Sequence, residues 1–346
     1  MTTTVKGIVE NFLLMVSTYG LVPNGGRIYY TKRSQPPFLT LMMKEYVDKT
    51  DDVKFVRTHL ATLEKEMEFW ETKRSVIVEL KGGIEEKHTM FVFGTGGTGP
   101  RPESYREDVE SASKFKTDKE KENFYFHMKA GAESGWDYST RWMINEQVYI
   151  LFLYLAIKRF IKMYLKYIQN IFHTPSLFKG GNTCEKEDGL YYVKTNHIIP
   201  VDLNSLIYMN YVCISEFHSL LGDTVRSEVF MKKARAIKKA IRDVLWDESE
   251  KMWFDYDLQN KKPRKYFYPS NLFPLWAESY DLNDREVVAE SAVKYLEKTG
   301  AMKCKGGIPT SFDNSGQQWD YPNAWPPLQH ILVSGNTKIL NNIILH

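Results

Sequence analysis

The 346-residue sequence predicts an all-α body on three observations. Apolar residues recur at intervals of three and four through six long segments, strand-like alternation is confined to two short runs, and the connectors are rich in Gly, Pro, Trp and Tyr. Residues 5–19, 38–47 and 53–70 each carry one apolar stripe, the signature of a helix with a single buried face. Strand-like runs follow at 75–80 and 89–93. A helix is predicted over 203–221, with Asp202 as its N-cap, another over 228–246, and a third over 285–299, with Gly300 as its stop. The segments 24–37, 94–105 and 306–327 have the make-up of loops that line a site. No internal period and no linker divides residues 1–346, so one domain is expected.

With 46 Lys and Arg against 43 Asp and Glu, the chain has a net charge of +3 and no basic field for nucleic acid. Cys184, Cys213 and Cys304 are too scattered for a disulfide framework or a zinc motif. The first residues lack the basic start and apolar run of a secretory signal. Residues 148–172 are nearly all Ile, Leu, Tyr, Phe and Lys, with an unbroken apolar run over 148–157. That run falls well short of the roughly 20 residues that span a bilayer, and aromatics on all sides leave no clean polar face. A buried helix or an insertion is favoured over a membrane helix.

Gly94, Gly96 and Gly99 match the spacing of a dinucleotide fingerprint, but Gly99 runs into Pro100 instead of opening a helix, and no second parallel strand follows; a flexible loop is the better reading. The eight histidines contain no H-E-x-x-H or comparable pair, so neither a metal site nor a cofactor is expected. No G-x-S-x-G elbow is present either.

Carboxylates are more informative. Residues 132–142 gather Glu133, Asp137, Arg141, Trp136 and Trp142. A carboxyl shielded by indole rings has its charged form disfavoured and suits proton donation, which singles out Asp137, although a helix-capping aspartate between core tryptophans has equal claim. Arg33 and Gln35 in one proline-held loop, and Arg101 and Glu103 in another, offer directed donors and acceptors to a polyhydroxylated ligand; loop-stabilising ion pairs are the plainer alternative. The segment 317–327 adds Gln318, Trp319, Asp320 and Trp325. Together these clusters favour a carbohydrate pocket.

The run Gln318-Trp319-Asp320-x-Pro322-x-Ala324-Trp325-Pro326-Pro327 resembles the C-terminal signature of trehalases, glycoside hydrolase family 37. Further blocks agree in order: Pro23-Asn24 to Tyr30, Arg33-Ser34-Gln35-Pro36-Pro37, Pro100-Arg101-Pro102-Glu103, Glu133-Ser134-Gly135-Trp136-Asp137, and Ile199 to Asn204. The resemblance covers roughly 5–142 and 195–332. It implies an (α/α)6 barrel and hydrolysis of α,α-trehalose to two glucose molecules by an inverting acid/base mechanism. It makes Asp137 the general acid, assigns glucose contacts to Asn24, Arg33, Gln35, Arg101, Glu103 and Gly135, and puts Trp136, Gln318, Trp319 and Trp325 in the pocket wall.

An inverting enzyme also needs a base about 6.5–9.5 Å from the acid, to activate water on the opposite face. The family's base lies beyond the tryptophan signature, yet residues 321–346 contain no Asp or Glu, leaving Glu103 or Asp320 as substitutes. The family's first signature, upstream of residue 5, has no counterpart, so the chain is expected to be an incomplete, impaired barrel. The alternative is a non-catalytic sugar-binding or regulatory product. Residues 145–179 are expected to be an insertion and 333–346 a non-family tail, both with the composition of translated intron. In animals the resemblance implies an extracellular or membrane-anchored parent.

Overall fold

A computed structural model of the protein describes residues 2–80, 86–144 and 190–344, with side chains to residue 335. The expected insertion at 145–179 and the apolar stretch at 148–172 lie outside the described residues. The all-α expectation holds: the described part is a stack of helices around one core, with short antiparallel strand pairs between them. No described helix is long and apolar enough to cross a membrane.

Helices α1 (Thr2–Tyr19), α2 (Leu39–Thr50) and α3 (Val53–Lys73) pack on one another through the stripes read in the sequence, burying Val9, Leu13 and Val16 against Met43 and Val56. Asp52 caps α3 by accepting a hydrogen bond from the Phe55 N–H at 3.0 Å. A hairpin of β1 (Ser75–Leu80) and β2 (Glu86–Phe91) follows, in the register Ser75 opposite Phe91. Helices α4 (Tyr105–Ala112) and α5 (Asp118–Ser134) went unassigned in the sequence because α4 is short and charged residues crowd the start of α5. A capping box starts α5: the Glu120 N–H donates to Thr117 Oγ1 and the Thr117 N–H donates back to the Glu120 carboxylate.

After β3 (Ile198–Ile199) comes the central helix, α6 (Val201–Leu220), buried on almost every side between α2, α3, α7 (Thr224–Ala240) and α8 (Phe273–Ala277). Its polar residues serve as internal fasteners: Asn204 bonds both the N–H and the C=O of Phe91, and Asn210 donates to Pro37 O at 2.8 Å. Pro200 holds the N-cap position of α6, so Asp202 lies inside the first turn and not at the cap expected of it. The Asp202 carboxylate is instead drawn to a buried arginine. The helix read through 246 stops earlier: α7 passes into a π turn over Ile241–Leu245, and Trp246 begins β4 (Trp246–Asp247), which pairs with β5 (Met252–Trp253).

A pair of β6 (Tyr256–Asp257) and β7 (Lys262–Pro263) continues from β3. Helix α9 (Arg285–Thr299) ends at Gly300, whose φ of +75° is the left-handed conformation expected of a stop. Helix α10 (Pro326–Ile344) closes the described fold against α8 and α9, so residues 333–344 continue the helix that begins inside the tryptophan signature.

Candidate active site

Asp137 owes its position to the end of α5. Gly135 caps that helix at φ +75°, which an L side chain adopts only with strain, and the reversal sends Trp136 and Asp137 back across the body. Just before the reversal, Glu133 is fully buried and accepts two bonds from Arg74 at 2.8 Å, one from the Ser34 N–H at 2.8 Å and one from the Gly94 N–H at 2.7 Å. One carboxylate thereby fixes the helix end, the Arg33–Gln35 loop and the glycine loop. Gly94–Gly99 is no phosphate cradle: Lys129 Nζ reaches the carbonyls of Gly97 and Gly99 at 2.8 and 2.7 Å, so an ammonium already fills the loop's centre.

Arg33, Arg101 and Glu103 act on Asp137 electrostatically, and Asn24 and Gln35 are bonded into the same loop cluster. Arg33 grips Asn24 Oδ1 through Nε and Nη2 at 3.0 and 2.8 Å and pairs with Glu103. Asn24 donates in turn to the carbonyls of Ser34 and Ala132, each at 3.2 Å, and Gln35 Nε2 donates to Asn24 O at 3.0 Å. Arg101 forms a forked pair with buried Asp108 and lies over the Tyr138 ring at 5.0 Å. The loop-stabilising ion pairs are therefore real, yet they hold two guanidiniums within electrostatic reach of Asp137. Burial pushes the Asp137 carboxyl up; Arg101 and Arg33 pull against that and Glu103 adds to it.

Trp136 stacks on Trp319 at 5.2 Å, and Trp325 stacks on the far side of Trp319 at 4.4 Å. The Trp319 N–H donates to Tyr138 O at 2.9 Å, which ties the second tryptophan cluster to the residue after Asp137. Asn24, Gln35, Gly135, Trp136 and Trp319 line a cavity of about 600 Å³ whose wall is otherwise mostly apolar, with Phe12, Leu39, Leu206, Phe273 and Ile331 in it. Asp137, Arg33, Arg101 and Glu103 are not among its lining residues; the Arg33–Asn24 bonds join the two groups. Two wall assignments shift. Gln318 is exposed, with its carbonyl accepting from Asn323 Nδ2, and Trp325 sits behind Trp319. Asp320 is a buried hub that accepts from the hydroxyls of Ser139, Ser311 and Ser315 and from the Thr140 N–H, so its lone pairs are already committed.

Two contributors were given no role in the sequence reading. Beneath Trp136, fully buried Arg141 forms forked pairs with Asp202 and Asp255 and lies 4.6 Å from the Trp136 ring. Glu66, on the buried face of α3, lines the cavity. Nothing in the spacing of α3 marked a carboxylate there, because the residue sits among apolar neighbours where a core side chain is expected.

Burial alone pushes Glu66 up to about 8. The folded protein keeps this proton up to about pH 8, whereas the unfolded chain releases it near 4.5, so stability is present at low pH and is lost as pH rises through that window. At about 1.4 kcal/mol per unit, the loss is on the order of 4 kcal/mol. Urea midpoints at pH 5 and pH 9 are expected to converge in Glu66→Gln; an undiminished difference in the variant would show that another group governs it.

The trehalase family model matches residues 1–152 and 178–342. The chain is 41% identical over 338 residues to the trehalase of Apis mellifera, covering 98% of this chain and 48% of that protein. It is 40% identical over 339 residues to the trehalase of Homo sapiens, covering 98% of this chain and 50% of that protein. The chain thus spans about half the length of the curated relatives it matches. Among solved structures, the neutral trehalase from Saccharomyces cerevisiae superposes with a TM-score of 0.67 at 20% identity, over 97% of this chain and 57% of that one. This likeness shows the fold, an all-α barrel of the six-hairpin glycosidase type.

Proposed function

Because the chain belongs to the trehalase family, matched over most of its length, we propose that it binds α,α-trehalose and carries the acid half of an inverting hydrolysis. Asp137 is the general acid. Its proton passes to the oxygen joining the two glucose units as that bond breaks. The observation that carries this reading is a carboxyl whose pKa burial pushes up beside two guanidiniums that pull it down. Before transfer, burial favours the protonated form of Asp137; after transfer, Arg101 and Arg33 stabilise the carboxylate left behind. Activity therefore declines as pH rises through the elevated Asp137 pKa. Asn24, Gln35, Glu103 and the Gly135 turn complete the set that meets the sugar hydroxyls, and the edges of Trp136 and Trp319, whose faces are taken up by each other, by Arg141 and by Trp325, add apolar wall.

The opposing base is the weak half of the pair. Residues 321–346 offer no carboxylate, Glu103 is engaged by Arg33, and Asp320 is enclosed by hydroxyls and an amide. The 346-residue chain is expected to bind trehalose and to turn it over at least about 10²-fold more slowly than a site with both groups. The same observation favours a second reading, in which the chain is a sugar-binding product without turnover.

Calorimetry with trehalose and with an iminosugar mimic tests the binding. Saturable one-to-one binding, weakened about tenfold or more in Arg33→Met, is expected, since a charged donor to a hydroxyl contributes roughly 1.5–3 kcal/mol. Folded protein that binds neither sugar would end both readings.

A further inference from the structure

Away from Asp137, the hairpin meets the end of α7. His88 lies on the inward face of β2, where Met90 is also buried and Lys87 and Thr89 are exposed. Its side chain is 6% exposed, and Nε2 makes no hydrogen bond. Glu86, at the start of the strand, and Asp243, in the π turn after α7, bring carboxylates to the same point, with all three ligand atoms within 4.8 Å of one another.

We propose that Glu86, His88 and Asp243 form a binding site for a divalent first-row transition metal such as Zn2+. The His88–Asp243 separation is that of two ligands on one ion, and the His88–Glu86 separation is half an ångström longer. His88 Nε2 lies 3.3 Å from Asp243 Oδ2 and 3.8 Å from Glu86 Oε2 without donating to either. Two ligand atoms held about 2.0–2.1 Å from a tetrahedral zinc stand about 3.3 Å apart. One imidazole and two carboxylates, with a fourth position left for water, suit zinc and its neighbours. Magnesium and calcium call for six or more oxygens and find only two side-chain donors of that kind here.

The cluster already attracts a cation. Lys239 Nζ lies 2.6 Å from Glu86 Oε1 and 2.5 Å from Asp243 Oδ2, and it neutralises the carboxylates while leaving the imidazole unbonded. Lys239 is half-exposed on a flexible stem, so an arriving metal ion displaces its ammonium into solvent and takes up both carboxylates and Nε2 at once. The bound ion would clamp the β1–β2 hairpin to the α7 end. The sequence conceals this site because its third ligand comes from a different part of the chain.

Calorimetric titration of the 346-residue chain with Zn2+ alone, alongside visible absorption with Co2+, provides the test. One ion per chain is expected, with an intense tetrahedral cobalt band. Glu86→Gln and Asp243→Asn, both on accessible side chains, are each expected to weaken zinc binding at least tenfold, since even outer-shell partners of metal ligands cost 10–100-fold. Lys239→Met removes the competing ammonium and is expected to tighten binding by a similar factor. No binding at about 100 µM Zn2+, or zinc affinity unmoved by both carboxylate variants, would overturn the site.

Discussion

Trehalose turnover by the 346-residue chain is expected to rise roughly 10²-fold or more when azide is supplied, and to stay at background in Asp137→Asn with or without azide. Water needs a base to become nucleophilic, whereas azide attacks the anomeric carbon directly. Carbon–azide bond formation from the face opposite the leaving group, with the Asp137 proton passing to the departing oxygen, yields β-glucosyl azide and one free glucose. Arg33 and Arg101 remain to stabilise the Asp137 carboxylate. The asparagine variant keeps the shape of the site and loses the proton. The β-anomeric azide detected by NMR identifies direct displacement, and its rate should fall as pH rises through the elevated Asp137 pKa. Equal azide-dependent turnover in Asp137→Asn would remove Asp137 from the mechanism.

The largest stability effect is expected at Arg141. Its guanidinium, fully buried, makes bonds of 2.7 and 2.8 Å to Asp202 and of 2.8 and 3.0 Å to Asp255. Part of the remaining negative charge faces the start of α6: the Val201 N–H donates to Asp255 and the Leu203 N–H to Asp202, both at 2.9 Å. Arg141→Leu leaves two buried carboxylates without their cation, at a cost of about 3–5 kcal/mol. Arg141→Lys should recover little, because a point charge cannot serve two carboxylates in fork geometry. Adding Asp255→Asn to Arg141→Leu should restore part of the loss, because the asparagine carbonyl can still accept from Val201 without a charge. Urea unfolding gives these differences directly; additive losses in the double variant would mean that the charges are not coupled. Trp136 fluorescence should shift in step, since the ring rests on the guanidinium.

Legibility in the sequence followed locality. The stripes of α1, α2, α3, α6 and α9 were readable because a helix buries residues at its own fixed spacing. The start of α6 and the end of α7 were misread: Pro200 takes the cap, and pairing of Trp246 with Trp253 ends the helix. Helix α5 was obscured because its polar residues earn burial through distant partners, as Glu133 does with Arg74. Among the candidate site residues, Arg33, Gln35, Arg101 and Glu103 were visible as polar groups on rigid loops, and so were the ion pairs that compete with a sugar for them, whereas Asn24 came only from the family resemblance. Gln318 carried the same signal and is turned to solvent, a distinction that composition cannot make.

By itself, then, the sequence determined the helical class, the positions of the chemistry-bearing loops and the family signature, all properties of neighbouring residues. Tertiary structure alone decided which charges meet. Arg141 finds Asp202 and Asp255 at separations of 61 and 114 residues, Trp319 stacks on Trp136, and His88 faces Asp243. Such pairings depend on how helices pack. Burial then strengthens each charge interaction and makes an unpaired charge costly, so charged side chains far apart along the chain become the fasteners of the folded protein.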